Sequence, residues 1–176
     1  MSIENKRREI LLSKEAIENR VSELGAELTK AYENKQLLVI SLLKGSFIFT
    51  ADLVRKIDLP VRIEFMTTSS YDHGEETTGK LKVVQDINVD LEAYDVLVVD
   101  DITDSALTMT GVIDILSQRN PKSIKSCVLL DKPSRRKTTY QPDYVGFEIP
   151  DKFIVGYGLN YGDYFRNIDH VFAFVD

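Results

Sequence analysis

A chain of 176 residues, 43% hydrophobic and 28% charged, can bury one core of ordinary size and is expected to fold as a single domain over residues 1–176. Its net charge of −6 speaks against a broad nucleic-acid or acidic-membrane surface, and no apolar run approaches the ~20 residues of a membrane span. The lone Cys127 sits in an apolar run as a reduced core thiol, and the N-terminus reads as too charged and helical for a signal peptide, so a cytoplasmic protein is expected.

Ser13 is placed to cap a helix that carries Ile17, Val21, Leu24 and Leu28 as an amphipathic stripe and ends around Glu33 to Lys35. Leu37 to Leu43 follows as a buried strand and stops at Lys44-Gly45-Ser46, after which Phe49, Leu53 and Ile57 mark a helix face. A lysine and free N–H groups at a helix start suit a pyrophosphate, although an ordinary solvated loop lysine fits the same residues. Val61 to Thr67 reads as another strand. The polar stretch Thr68 to Gly79 buries little apolar area, which predicts a mobile loop or a long hairpin tip, and such loops often serve as lids. His73 within it lacks neighbours at metal-ligand spacing. Leu81 to Gln85 resumes an extended pattern.

The stretch Asp95 to Thr108 organises the rest. Val96 to Val99 is an unbroken apolar run, the pattern of a strand buried on both faces. Asp100 and Asp101 appear where that strand leaves the core, and Met109, Val112, Ile113 and Leu116 then recur at helical spacing. Backbone N–H groups from Asp104 to Thr108, with the Ser105 and Thr108 hydroxyls, can receive a phosphate at the helix start. The acidic pair must meet hydroxyl groups or a metal instead. A ribose 5-phosphate carries both partners. Incidental acids at an α/β switch-point loop fit a bare strand-Asp-Asp pattern equally well. A receiver-type signalling domain also pairs acids at strand ends, but here the pair follows the middle strand.

Beyond Asn120-Pro121, Ile124 to Leu130 is a strand ending at Asp131-Lys132-Pro133, and the basic run Arg135, Arg136, Lys137 is expected to be solvated. Tyr144 to Glu148 looks extended. Phe153 to Tyr157 follows a turn, and glycines and aromatics between Tyr157 and Phe165 predict a packed loop before a last strand, Val171 to Val175. Alternating strands and helices argue for an α/β fold with a mainly parallel sheet flanked by helices. There is no Walker sequence and no Gly-x-Gly-x-x-Gly.

The string from Asp100 to Thr108 resembles the phosphoribosyl-pyrophosphate (PRPP) signature of type I phosphoribosyltransferases, with Ala106 where glycine is usual and Asp100 where glutamate is commoner. Three further motifs occur in the family's order: Leu43-Lys44-Gly45, Ser70-Tyr71, and Val145 to Phe153 with Val155-Gly156-Tyr157. From roughly Ile10 to Phe174 the chain is similar to the bacterial hypoxanthine-guanine phosphoribosyltransferases of purine salvage. The resemblance implies the type I fold with a small hood subregion, Mg²⁺ as cofactor, PRPP and a 6-oxopurine as substrates, and a homodimer or homotetramer.

It also implies roles. Leu43, Lys44, Gly45 and Arg166 would hold pyrophosphate, with Leu43–Lys44 a candidate cis peptide. Asp100 and Asp101 would face the ribose hydroxyls and the metal, and Asp104, Ser105, Ala106, Leu107 and Thr108 the 5-phosphate. Asp104 would be the general base at purine nitrogen 7. Lys132 would reach the 6-oxygen, which favours a 6-oxo over a 6-amino base. Phe153 would stack on the base, backbone near Ile154 would read its edge, and Ser70 and Tyr71 would close as a lid. Asn160 stands where the family usually has a metal-binding aspartate, so its hold on a second Mg²⁺ is expected to be weak or indirect. The alternative is a PRPP-sensing regulator of the same fold that binds nucleic acid. Asp104, Lys132, Phe153 and Arg166, all present, favour the enzyme.

Overall fold

The computed structural model describes residues 6–73 and 76–175, and their side chains except over 70–80. In chain order the elements are β1 (Arg7–Leu12), α1 (Lys14–Ala31), β2 (Leu37–Leu43), α2 (Phe47–Val54), β3 (Val61–His73) and β4 (Glu76–Gln85). Then come β5 (Asp95–Thr103), α3 (Leu107–Ser117), β6 (Ser123–Asp131), β7 (Tyr144–Glu148), β8 (Ile154–Val155) and β9 (Val171–Val175).

The main sheet runs β4-β3-β2-β5-β6-β7 and is parallel except between β3 and β4. Successive side chains of a strand point to opposite faces, and β5 uses both. Leu97 and Val99 join the cluster under α1 and α2, with Ile17, Leu24, Phe49 and Leu53. Val96 and Val98 join the cluster under α3, with Met109, Val112 and Leu116. Helices on both faces explain why this strand carries no polar alternation. Cys127 lies in the first cluster, and burial pushes its thiol pKa up. Among the described residues no helix is long and apolar enough to cross a membrane.

Ser13 caps α1, its hydroxyl accepting the Ala16 N–H at 3.1 Å. The helix stops at Ala31, short of the expected end, and Asn34 takes a left-handed φ of 60°. One expectation needs correction, and one open alternative is decided in favour of a hairpin. The N-terminal segment read as helical is β1, antiparallel to β9 with Ile10 opposite Phe172. Its charges suit an edge strand, and its partner lies at the far end of the chain, where no local pattern reveals it. The polar stretch after Val61–Thr67 continues as the β3–β4 hairpin, with Ser70 opposite Leu81. Together β1, β9 and β8 make a separate antiparallel sheet, the expected hood, where Phe172 and Phe174 of β9 pack edge to face with Tyr161 and Phe165.

Candidate active site at the carboxyl edge of the sheet

The chain leaves β2 toward β3 on one side, while β5 pairs with β2 on the other. That reversal opens a crevice at the carboxyl ends of β2 and β5, where ligands of open α/β sheets bind. β2 delivers Leu43 and Lys44 there, β5 delivers Asp100 and Asp101, and β6, in register up to Asp131 opposite Thr103, delivers Lys132.

The Leu43–Lys44 peptide is cis. Below it, the buried hydroxyls of Ser41, Ser46 and Thr50 form a chain: Ser41 Oγ lies 2.8 Å from Ser46 Oγ and 2.7 Å from Thr50 Oγ1, and Ser46 donates to the Leu42 carbonyl at 2.5 Å. The sequence reading missed this support, although hydroxyl residues at apolar strand and helix positions are its signal. Gly45 lies hard against the acidic corner. A Cβ there would stand 2.0 Å from Asp101 Oδ2. Gly158, with φ of 100°, packs as closely on Gly45, since its own Cβ would meet the Gly45 carbonyl oxygen at 2.2 Å. Arg166 is fastened to the same place, donating from Nη1 to the Gly158 carbonyl at 2.7 Å while its own carbonyl accepts the Gly158 N–H at 2.9 Å. Glycines 113 residues apart thus join the expected pyrophosphate residues to the acidic pair (158 minus 45).

Burial holds the Asp100 carboxyl well above the ordinary carboxylate value, and repulsion from Asp101 and then Asp104 adds to it. Burial also raises Asp101, against hydrogen bonds and the positive charge of Arg166. Each carboxylate turns one oxygen to the next backbone N–H, Asp100 to Asp101 at 2.9 Å and Asp101 to Ile102 at 2.8 Å. Two crowded carboxylates can accept hydrogen bonds from hydroxyl groups or ligate a hard cation. Among the described residues no three His, Cys, Asp or Glu side chains gather as a complete cage.

Asp104 is exposed, and its Oδ1 accepts the Ser105 N–H at 2.6 Å. Ala106 stands before α3 with φ of 66° and ψ of 10°, a left-handed conformation that explains why glycine is the usual residue. No side chain caps α3 at Ala106, and only the Ser105 hydroxyl reaches Leu107 N–H, at 3.3 Å. Lys132 is buried at the end of β6, its N–H bonded to the Thr103 carbonyl at 2.8 Å. Phe153 is 63% exposed, with one edge against Tyr161 at 5.8 Å between centroids, and Ile154 is buried beside Ala173. Asn160 is exposed and donates from Nδ2 to the Gly162 carbonyl at 2.6 Å. The backbone of Ser70 and Tyr71 belongs to β3, but their side chains lie outside the described residues. A buried contact absent from the sequence reading is Tyr157, whose hydroxyl donates to Asp52 at 2.5 Å and ties the 156–158 turn to α2.

Comparison with known proteins identifies the family. The phosphoribosyl transferase domain family matches residues 7–162. The hypoxanthine-guanine phosphoribosyltransferase of Aquifex aeolicus is 47% identical over 175 residues, 99% of this chain and 98% of that protein. That of Bacillus subtilis is 43% identical over 162 residues, 92% and 90% of the two chains. A hypoxanthine phosphoribosyltransferase structure from Staphylococcus aureus superposes with a TM-score of 0.93 at 40% identity, covering 98% of this chain and 94% of that one. The chain therefore belongs to the phosphoribosyltransferase family, within its hypoxanthine-guanine group.

Proposed function

We propose that this protein transfers the 5-phosphoribosyl group of PRPP to hypoxanthine or guanine, releasing pyrophosphate, and that the carboxyl-edge crevice is where it does so. One observation supports the reading: Gly45 of the Leu43-Lys44-Gly45 motif packs against both Asp101 of the PRPP signature and Gly158, the residue that follows Val155-Gly156-Tyr157. The N–H groups at the start of α3 receive the 5-phosphate, a site that helix donors and dipole both favour. Asp100 and Asp101 take the ribose hydroxyls. Lys44, Gly45 and Arg166 hold the pyrophosphate, whose departure leaves positive charge on the anomeric carbon and the ring oxygen. Asp100 and Asp101 would help hold Mg²⁺ beside PRPP, where the cation would neutralise charge on the leaving group.

The purine lies on the open face of Phe153. The buried Lys132 ammonium donates to its 6-oxygen and cannot donate to a 6-amino nitrogen that is itself a donor. Asp104 accepts the nitrogen 7 proton as nitrogen 9 bonds to the ribose, so no positive charge builds on the base. The protein acts in the cytoplasm as a homo-oligomer; Ile63 and Phe65, on one face of β3, are large apolar side chains 37% and 45% exposed, a surface suited to a second copy. Nothing favours the nucleic-acid-binding regulator, and a net charge of −6 opposes it.

The test is a steady-state assay with hypoxanthine, guanine, xanthine and adenine, each with PRPP and Mg²⁺, read by nucleotide and pyrophosphate formation. The expected result is turnover of 6-oxopurines and none of adenine. Purine-independent behaviour with retention on nucleic acid at low salt refutes the reading.

A further inference from the structure

Three consecutive carbonyls, from the last residue of β5 into the loop after it, are taken up by one segment beyond β6. The Lys132 N–H donates to Thr103 O at 2.8 Å, Arg136 Nη1 to Asp104 O at 3.0 Å, and the Lys137 N–H to Ser105 O at 3.0 Å. These peptides are trans, so each N–H points opposite to the carbonyl of its own unit. The N–H groups of Asp104, Ser105 and Ala106 are therefore turned away from residues 132–137.

The middle contact bears on chemistry. The peptide unit joining Asp104 to Ser105 has its carbonyl on the Arg136 guanidinium and its N–H on Asp104 Oδ1. Arg136 and the Asp104 carboxylate thus hold opposite edges of one rigid plane. Arg136 also departs from the expected solvated basic run. Its side chain is 8% exposed, and Nη2 donates to both oxygens of the equally buried Asp131 at 2.8 and 3.0 Å and to Gln141 at 3.2 Å. Its Nε is buried with no partner among the described residues. An arginine selected for stability alone is expected to satisfy every buried donor. This one leaves a donor unmet while its two Nη atoms span Asp131 and the Asp104 carbonyl.

We propose that Arg136 is a positioning residue which, through the Asp104–Ser105 peptide plane, aims the Asp104 carboxylate at the proton of the purine. This rests on the reading of Asp104 as general base. Arg136→Lys keeps a cation beside Asp131 but lacks the planar fork needed to span both partners. It is expected to lower kcat roughly tenfold to hundredfold, with KM for PRPP and purine within about threefold of wild type. In an Asp104→Asn background the same substitution is expected to change kcat less than about twofold, because two groups acting as one unit are not additive. Should Arg136→Lys not fold, Asp131→Asn, which releases the anchored end of Arg136, is carried through the same pair of backgrounds with the same expectation. Full kcat in the tested variant, an equal fractional loss in both backgrounds, or unfolding of both variants overturns the role of Arg136. Wild-type kcat in Asp104→Asn overturns the general-base reading itself, a separate outcome.

Discussion

Gly45→Ala tests the contact that joins the two halves of the site. The new Cβ would stand 2.0 Å from Asp101 Oδ2 and 2.8 Å from Asp101 Cγ. Restoring an ordinary contact requires a relative shift of more than about 1 Å. The carboxylate cannot yield freely, because Oδ1 accepts the Ile102 N–H at 2.8 Å and the side chain is half-buried. Overpacking of this kind costs about 1–3 kcal/mol. For a chain of this size that lowers Tm by about 2–12 °C, at about 2–4 °C per kcal/mol. The functional loss is larger. A 1 Å misplacement of reacting groups costs about 10²-fold in rate, or about 2.7 kcal/mol of transition-state stabilisation. The measurement is kcat/KM for PRPP at saturating hypoxanthine and Mg²⁺, beside a thermal melt of the free enzyme. An alanine variant within threefold of wild type and melting at the same temperature refutes the argument. It would mean that Asp101 and the 43–45 loop are not coupled.

Asp104→Asn is expected to lower kcat by about 10²–10⁴ with little change in PRPP affinity, since an amide cannot take a proton; single-turnover kinetics showing a wild-type chemical step contradict it. Asp100→Asn addresses stability. Because the Asp100 pKa is raised in the folded state, protonation favours folding, and the carboxylate destabilises the fold as pH rises from its unfolded value near 3.8 through the raised folded one. The amide variant should thus melt higher than wild type at neutral pH, with the gap closing below about pH 4; a gap that does not vary with pH argues against it. Asn160→Asp restores a negative charge near the proposed metal, worth on the order of 1–3 kcal/mol, so half-maximal rate should need about tenfold to hundredfold less Mg²⁺. The same change gives up the Nδ2 donor to Gly162, so a small loss in Tm is expected as well. Overlaying magnesium titrations would make Asn160 a loop-bracing residue only.

The individual elements of the main sheet and the loop after β5 were legible in the sequence because their causes are local. The unbroken Val96–Val99 run, the Ser13 cap and the apolar spacing from Met109 to Leu116 each state their own conformation. At Ala106 the sequence marked only a place where glycine is usual; the left-handed φ of 66° that accounts for it came with the structure. What the tertiary structure alone decided are pairings across long separations. The β1–β9 edge, the stacking of Gly158 on Gly45, and the burial of Arg136 against Asp131 depend on which distant segment arrives at each place. A basic run reads the same whether water or a carboxylate meets it. Here β6 ends beside β5, so Arg136 meets Asp131 and the Asp104 carbonyl, and a surface charge becomes an interior support.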